Sequence, residues 1–223
     1  MKDDVVYEDG LVLLACKAAG EPVCPDKSGA HALQARLAAE RGMCTEDLHP
    51  ITRLDRPVGG LCLFAKTGQA AAALSQALGE QNRFCKEYAA VLCGVPDPPE
   101  GELRDYLYHD ARSNKTYPVK SLRRGVKEAV LSYRTVESRE GLTLVRVRIF
   151  TGRTHQIRVQ FASRKWPLYG DGKYGARAGQ GAAREVALYA CALAFLHPKT
   201  GERMAFSLPL PACAPWSGFA KQE

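Results

Sequence analysis

Short apolar segments recur along the chain and predict strands. Val145, Val147 and Ile149 alternate with Arg146 and Arg148, a period of two that is typical of a strand with one apolar and one basic face. Four further segments have the same apolar character and the length of strands. The five predicted strands are residues 11–16, 61–65, 87–95, 129–136 and 142–150.

Two segments predict helices between these strands. Residues 68–81 are rich in Ala and Leu with polar residues spaced between them, and residues 154–163 begin at Thr154, the expected N-cap. Residues 96–124 contain several prolines and basic residues and are expected to form surface hairpins and loops. Residues 176–185 are mostly Gly, Ala and Arg and are expected to form a mobile loop. No repeat or long linker marks a boundary, so residues 1–223 are interpreted as one domain.

The composition favours a globular protein that binds a polyanionic partner. The 223 residues are 46% hydrophobic, which is enough for a sizeable core without disulfide or metal. Lys and Arg number 31 against 24 Asp and Glu, a net charge of +7, and nucleic acid is the leading candidate partner.

Cysteine spacing and hydropathy indicate where the protein works. The eight cysteines form no Cys-x-x-Cys pair, and several lie in apolar runs where they are interpreted as small hydrophobic residues, which indicates a reducing compartment. The longest apolar run, residues 186–196, is shorter than the ~20 residues of a membrane span, and the acidic N-terminus is unlike a secretory signal. We therefore expect a cytoplasmic protein that does not enter the membrane.

Two short motifs carry candidate chemistry, although each has an ordinary structural interpretation. In RLDRPVGG, Asp55 lies between Arg53 and Arg56 on a turn before an apolar strand. Its carboxylate could cap backbone amides of that turn or take part in a reaction, and the triplet alone leaves both open. In KEYAAVLCG, Tyr88 follows Lys86 and by itself is most simply a strand aromatic with a solvated hydroxyl.

A third motif, TGRTHQIR, places polar side chains at the start of a predicted helix. Helical spacing puts His155 and Arg158 on neighbouring surface, with Ile157 and Phe161 on the buried side. The helix could simply present a basic face to solvent. An anion site is favoured, because the amide groups at a helix start already attract negative charge.

Taken together, these motifs resemble the RluA-type family of RNA pseudouridine synthases. The resemblance begins at VVYEDGLVLLACKAAGEPVCPD, continues through RLDRPVGGL, KEYAAVLCG, TGRTHQIR and GDGKYG, and ends with LYACALAFLHPKTGERMAFSLPLP. The chain departs from the family pattern at Ala18, Thr52, Val58-Gly59-Gly60, Gln160 and Arg164-Lys165. The resemblance implies an α+β fold, with a mixed, largely antiparallel sheet, flanking helices and a central basic cleft.

The same resemblance implies a function and a set of site residues. It implies isomerisation of uridine to pseudouridine in ribosomal or transfer RNA, by a monomer without an obligatory protein partner, metal or other cofactor. Asp55 is implied as the catalytic carboxylate, acting on the ribose as nucleophile or base, with Arg158 as its cationic partner and Tyr88 packed on the base. The implied RNA contacts are Arg53, Lys86, Arg153, His155 and the basic strand.

Two alternatives from other classes stay open at this point. One is an RNA-binding protein that has lost catalysis, against which the joint presence of Asp55, Tyr88 and Arg158 argues. The other is a hydrolytic glycosidase, which normally needs a second carboxylate facing the first. The remaining acid in these motifs besides Glu87 is Asp171, which is interpreted as a structural turn residue.

Overall fold

The computed structural model describes residues 4–80, 82–175 and 186–219. Within these ranges the chain forms strands and a few short helices, so the α+β class is confirmed. In chain order the elements are β1 (Val5–Glu8), β2 (Val12–Lys17), α1 (Leu33–Glu40), β3 (His49–Pro50), β4 (Gly59–Ala65), α2 (Gly68–Ala77), β5 (Phe84–Cys93), β6 (Glu100–Asp110), β7 (Lys115–Val119), β8 (Val126–Arg139), β9 (Leu142–Ile149), α3 (Gln156–Ala162), β10 (Leu188–Leu196) and β11 (Arg203–Ser207).

The chain divides into two compact units. The first unit comprises Met1–Cys85 and Ala190–Leu208, and the second comprises Lys86–Tyr189 and Pro209–Glu223. Whether the whole chain behaves as one domain, as the sequence suggests, stays a prediction. The central basic cleft also stays a prediction.

The sheet of the first unit is covered on both faces by helices. Its strands lie in the order β1-β2-β4-β10-β11, with β3 added beside β4. Leu63 packs in one apolar cluster with Leu74 of α2, whereas its neighbour Phe64 packs in another cluster with Leu37 of α1. This explains why β4 is apolar at successive positions and buried along its whole length.

Gly60 lets two strands of the first unit approach closely. Its φ is +116°, and a Cβ there would lie 2.4 Å from the carbonyl oxygen of Ala190 in β10. No L side chain fits either the dihedral angle or the space. The second glycine of RLDRPVGG is therefore required by backbone packing beside the Asp55 turn.

The second unit is an antiparallel sheet with one helix on one face. The strand order is β5-β9-β8-β6-β7, and each neighbouring pair is antiparallel. Val159 of α3 packs on Leu107 and Ala129, and Phe161 meets the ring of Tyr133 edge-on at 5.4 Å. This face of the sheet, which we call the helix face, carries alternate residues of each strand.

The predicted elements are confirmed with shifted ends, and one detail is wrong. All five predicted strands exist, α2 ends at Ala77 and the 96–124 segment contains the β6–β7 hairpin. Thr154 is not the N-cap of α3: His155 holds that position in the left-handed conformation, with φ 56°. The expected mobile loop at residues 176–185 lies outside the described residues. Among the described helices, none has the length and apolar content to cross a membrane.

Candidate active site

The turn that carries Asp55 is tied to the turn that follows β2. The carbonyl oxygen of Arg56 accepts a hydrogen bond from the Gly20 amide at 2.7 Å, and the Arg56 Nε donates to the Gly20 carbonyl at 2.9 Å. The Arg56 guanidinium also donates to Ser28 Oγ at 3.1 Å. Arg56 is thus engaged in holding the loop, although its side chain is exposed.

A buried lysine adds a third tie to this loop. Lys17 is 1% exposed, and its ammonium donates to the carbonyl oxygens of Ala18 at 2.8 Å, Glu21 at 2.7 Å and Arg56 at 3.1 Å. Burial lowers the pKa of Lys17, and nearby negative groups, Asp55 among them, oppose that shift. The only sequence signal for this role is a lysine at the end of a fully apolar strand.

Asp55 itself is half-buried between these anchors. Its carbonyl accepts from the Val58 amide at 3.0 Å, which closes the turn. Upstream, the buried hydroxyl of Thr52 accepts from the Leu63 amide at 2.9 Å and fixes the loop to β4. Arg53 lies exposed between these two points. The first unit therefore presents a half-buried carboxylate on a loop that is pinned on both sides.

Arg158 of the second unit is buried in a bidentate ion pair. Its Nε donates to Asp171 Oδ2 at 2.7 Å and its Nη2 donates to Asp171 Oδ1 at 2.8 Å, with the two side chains 5% and 0% exposed. Asp171 also accepts from the amides of Lys173 and Tyr174 in its own turn. It is a turn residue, as expected, and in addition the partner of Arg158, which sequence spacing did not indicate.

Tyr174 completes this buried cluster. Its ring centroid lies 5.3 Å from the Arg158 guanidinium, and its hydroxyl accepts from the Thr116 amide at 2.8 Å. The same hydroxyl lies 2.8 Å from Nδ1 of His155, which is 8% exposed. A residue of GDGKYG thus joins the start of α3 to strand β7.

Lys86 and Tyr88 point to the helix face of the second unit. Tyr88 pairs with Val147, which pairs with Tyr133 under α3, and Lys86 lies two residues away on the same side of β5. Tyr88 is 8% exposed. The Nζ of Lys86 lies 3.7 Å from the position that a Cβ on Gly152 would take. Lys86 is therefore beside the TGR turn.

Gln156 holds that turn in place. Its Oε1 accepts from Thr151 Oγ1 at 2.8 Å and from the Arg153 amide at 3.0 Å, and its Nε2 donates to the Val130 carbonyl at 3.1 Å. Arg153 Nε donates to the Glu128 carbonyl at 2.8 Å. The backbone around Arg153 is thereby fixed to strand β8.

The arginines of β9 lie on the other face of the sheet. Arg148 pairs with Glu87 and Ser132, and Arg146 pairs with Ala89 and Arg134, whereas Tyr88 points to the helix face. These arginines line a concave surface that also contains Glu87, Glu100 and Glu102. The basic face predicted for this strand exists, but it is interleaved with acids and faces away from the side of Tyr88.

Each unit thus brings together part of the predicted set. The first unit holds Arg53 and Asp55, and the second holds Tyr88 and Arg158 with the other second-unit candidates, namely Lys86, Arg153 and His155. The pairing of Asp55 with Arg158 stays a prediction. Within the described residues no group of three or more His, Cys, Asp or Glu side chains is arranged to hold a metal ion.

Sequence comparison identifies relatives along nearly the whole chain. A family model described as RNA pseudouridylate synthase matches residues 11–163. The chain is 33% identical over 222 residues to the RNA pseudouridine synthase YlyB of Bacillus subtilis, covering 93% of this chain and 69% of that protein. It is 33% identical over 225 residues to ribosomal large subunit pseudouridine synthase D of Vibrio cholerae, covering 93% and 67%.

Solved structures show the same fold. Human RNA pseudouridylate synthase domain containing 1 superposes with a TM-score of 0.76 at 21% identity, covering 94% of this chain and 84% of that one. Human RNA pseudouridylate synthase domain containing 4 gives 0.71 at 21% identity, covering 93% and 88%.

Proposed function

Because the chain belongs to the RNA pseudouridylate synthase family, we propose that it is an isomerase that converts uridine to pseudouridine in structured RNA. The observation that carries this proposal is the family match over residues 11–163, a range that includes Asp55, Tyr88 and Arg158. Ribosomal RNA is the first substrate to test, because one relative is named for the large ribosomal subunit, and transfer RNA is the second. We further propose a cytoplasmic monomer that needs no obligatory protein partner.

Asp55 is proposed as the carboxylate that starts the reaction. Isomerisation breaks the bond between ribose C1′ and the base nitrogen, turns the uracil and rejoins it through carbon, without oxidation or hydrolysis. A carboxylate can drive this by attacking C1′ or by removing a ribose proton. The ties of the Asp55 loop to Lys17, Gly20 and Leu63 support this role, because a reacting group must be held in one position.

Arg158 is proposed as the cation that keeps Asp55 ionised. A carboxylate in a site without bulk water stays charged only beside a fixed positive group. Asp171 takes the Nε and Nη2 edge of Arg158, and a guanidinium has a second edge, between Nη1 and Nη2, that can bind another carboxylate. Asp171 would then be a positioning residue that fixes the direction of this second edge.

The remaining residues are assigned to the base and to the RNA. Tyr88 is proposed to pack its ring on the target uracil and to assist the final proton removal from carbon. Arg53 is proposed to occupy the space that the flipped nucleotide leaves, because a base must leave its stack before its sugar can be reached. Lys86 and Arg153 are proposed phosphate contacts. For His155, burial against Tyr174 favours holding the start of α3 over touching RNA.

The proposal is tested by replacing Asp55 with Asn, which keeps the size but removes the charge. Pseudouridine formation in total cellular RNA should fall by about 10²–10⁴-fold or more. RNA affinity should persist, because removing a negative charge from a protein that binds RNA cannot repel a polyanion. The measurements are pseudouridine mapping by mass spectrometry and RNA binding by filter retention.

Asp47→Asn is the matched control, since Asp47 is an exposed acid of the same unit. It should turn over like the wild type. A wild-type rate for Asp55→Asn would remove Asp55 from the mechanism. Release of free uracil in place of isomerised RNA would support the glycosidase, and RNA binding without any pseudouridine would support a binding protein.

A further inference from the structure

We propose that the β6–β7 hairpin and the loop that follows it, residues 108–127, form an RNA-binding surface that stacks an unpaired base on Tyr108 or Tyr117 and holds the flanking phosphates. This inference rests on the proposed function, because it names an element by which the synthase binds its RNA substrate. We call residues 108–127 the hairpin surface.

The hairpin surface concentrates positive charge, and Asp110 is the one acid in its sequence. Between residues 111 and 127 the sequence has six basic residues and no Asp or Glu. Within the described part of the chain, none of the six forms an ion pair with an acid. All but Lys115 are exposed. The six are Arg112, Lys115, Lys120, Arg123, Arg124 and Lys127.

Aromatic rings lie beside these charges. Tyr108 and Tyr117 are directly paired across the two strands, and they are 38% and 41% exposed. The Nζ of Lys115 lies 5.7 Å from the ring centroid of Tyr117. Exposed rings stack on bases of any sequence, and neighbouring cations bind the phosphates on either side. This combination fits single-stranded or looped RNA better than a duplex, whose bases are already stacked.

Hydrogen bonds fix the hairpin to the residues that surround Arg158. The Thr116 amide donates to the Tyr174 hydroxyl at 2.8 Å, and Thr116 Oγ1 donates to the Thr154 carbonyl at 2.9 Å. Lys173 Nζ donates to the Asn114 carbonyl at 2.8 Å. Tyr174 in turn stacks on Arg158. RNA held by this surface would be placed at a fixed offset from Arg158.

The other concentration of arginines in this unit fits RNA less well. Arg134, Arg146 and Arg148 share their surface with three glutamates, and nearby Arg104 forms ion pairs with Glu102 at 3.0 Å and Glu128 at 2.8 Å. A surface that is close to neutral gives a phosphate backbone little attraction. Charge complementarity therefore selects the hairpin surface over the basic strand.

The first experiment separates stacking from charge. Binding of wild type and Tyr108→Ala/Tyr117→Ala is measured by fluorescence anisotropy with an oligouridine of about 20 nucleotides and with heparin, a polyanion without bases. We expect the double variant to bind oligouridine about 10-fold more weakly than wild type and to keep the wild-type affinity for heparin. An unchanged oligouridine affinity, or an equal loss for both probes, would overturn base stacking.

The second experiment compares two triple variants of equal charge. Lys120→Gln/Arg123→Gln/Arg124→Gln should lower the slope of log affinity against log salt by about 2, at roughly 0.7 per lost phosphate contact. Arg104→Gln/Arg134→Gln/Arg139→Gln removes the same charge from exposed positions of the same sheet and should leave the slope unchanged. If the two triple variants lowered the slope equally, only net charge would matter, and the proposed role of the hairpin surface would be wrong.

Turnover distinguishes this inference from the proposed function. If wild type forms pseudouridine in total RNA while the hairpin variants bind and react like wild type, the hairpin surface is wrong and the function stands. If wild type forms none, the proposed function fails whatever the binding data. Circular dichroism melts of each variant verify that it is folded. A hairpin variant that binds anionic vesicles less well than wild type does, with unchanged RNA affinity, would assign the surface to membranes instead.

Discussion

At the scale of single residues, the buried pair of Arg158 and Asp171 leads to a sharp prediction. Replacing Asp171 with Asn removes a buried negative charge that Arg158 binds through two hydrogen bonds, which should lower the free energy of unfolding by about 3–5 kcal/mol. Once Arg158 is no longer held, kcat for pseudouridine formation should fall by about 10²-fold, because misplacement of about 1 Å has effects of that size. KM for the RNA should stay near wild type.

The control for this variant is Asp105→Asn. Asp105 also pairs with an arginine of the second unit, Arg164 at 2.8 Å, but that arginine has no part in the proposed site. The Asp105→Asn variant should keep kcat within a few-fold of the wild-type value. Asp171→Glu, which restores the charge, should recover much of the stability and part of kcat. If folded Asp171→Asn reacts at the wild-type rate, Asp171 does not position a catalytic Arg158.

Residue identity could be predicted from sequence motifs, whereas residue partners could not. The motifs point to Asp55, Tyr88 and Arg158 as candidates, whose roles stay proposals. The bond between Arg158 and Asp171 spans thirteen positions and depends on the path of the GDGKYG turn, which no periodicity encodes. Lys17 was missed for a similar reason, since its three acceptors are backbone carbonyls of loops.

At the scale of elements, the contact of β4 with β10 makes Gly60 irreplaceable. Gly60→Ala would place a Cβ 2.4 Å from the Ala190 carbonyl oxygen at a φ of +116°, so the strands must separate. We expect the variant to be unfolded or to melt well below wild type, measured by circular dichroism. Pseudouridine formation should fall with it, because the Asp55 turn leads directly into this strand.

Gly68→Ala is the matched control for that variant. Gly68 begins α2, and a Cβ there meets no atom within 4 Å. Alanine has the higher helix propensity, so this change should leave stability unchanged or raise it by up to about 1 kcal/mol. A wild-type melting temperature for Gly60→Ala would mean that β4 and β10 are not packed as described.

Strands were predicted more reliably than helix starts for a physical reason. Val145, Val147 and Ile149 alternate strictly because one face of β9 is covered, so the period is visible in sequence. Helix α1 was missed because its N-cap, Ala32, makes no capping side-chain bond. The start of α3 was misplaced because its N-cap is His155, which lies in the left-handed conformation and makes no capping side-chain bond, so no preferred N-cap residue marks the position.

At the scale of the whole molecule, net charge predicted the class of the binding partner but not the surface at which it binds. The value of +7 predicts attraction to a polyanion, and family membership is consistent with RNA. The distribution follows only from the fold, because Arg148 of β9 pairs with Glu87 and shares its surface with Glu100 and Glu102, while the hairpin surface has no acids between residues 111 and 127. A count of charged residues along the sequence cannot distinguish the nearly neutral surface around β9 from the basic hairpin surface.

The last prediction concerns what the whole protein needs in order to react. Pseudouridine formation rearranges one nucleotide with no net oxidation, reduction or hydrolysis, so a carboxylate, a guanidinium and an aromatic ring can suffice. We predict that protein treated exhaustively with a chelator, and then freed of it, isomerises uridine at the untreated rate with no nucleotide or metal added. The RNA is refolded separately in magnesium and exchanged into metal-free buffer, with its structure verified by chemical probing. A rate restored only by adding metal to the protein, with the RNA already folded, would show that the chain uses a metal ion.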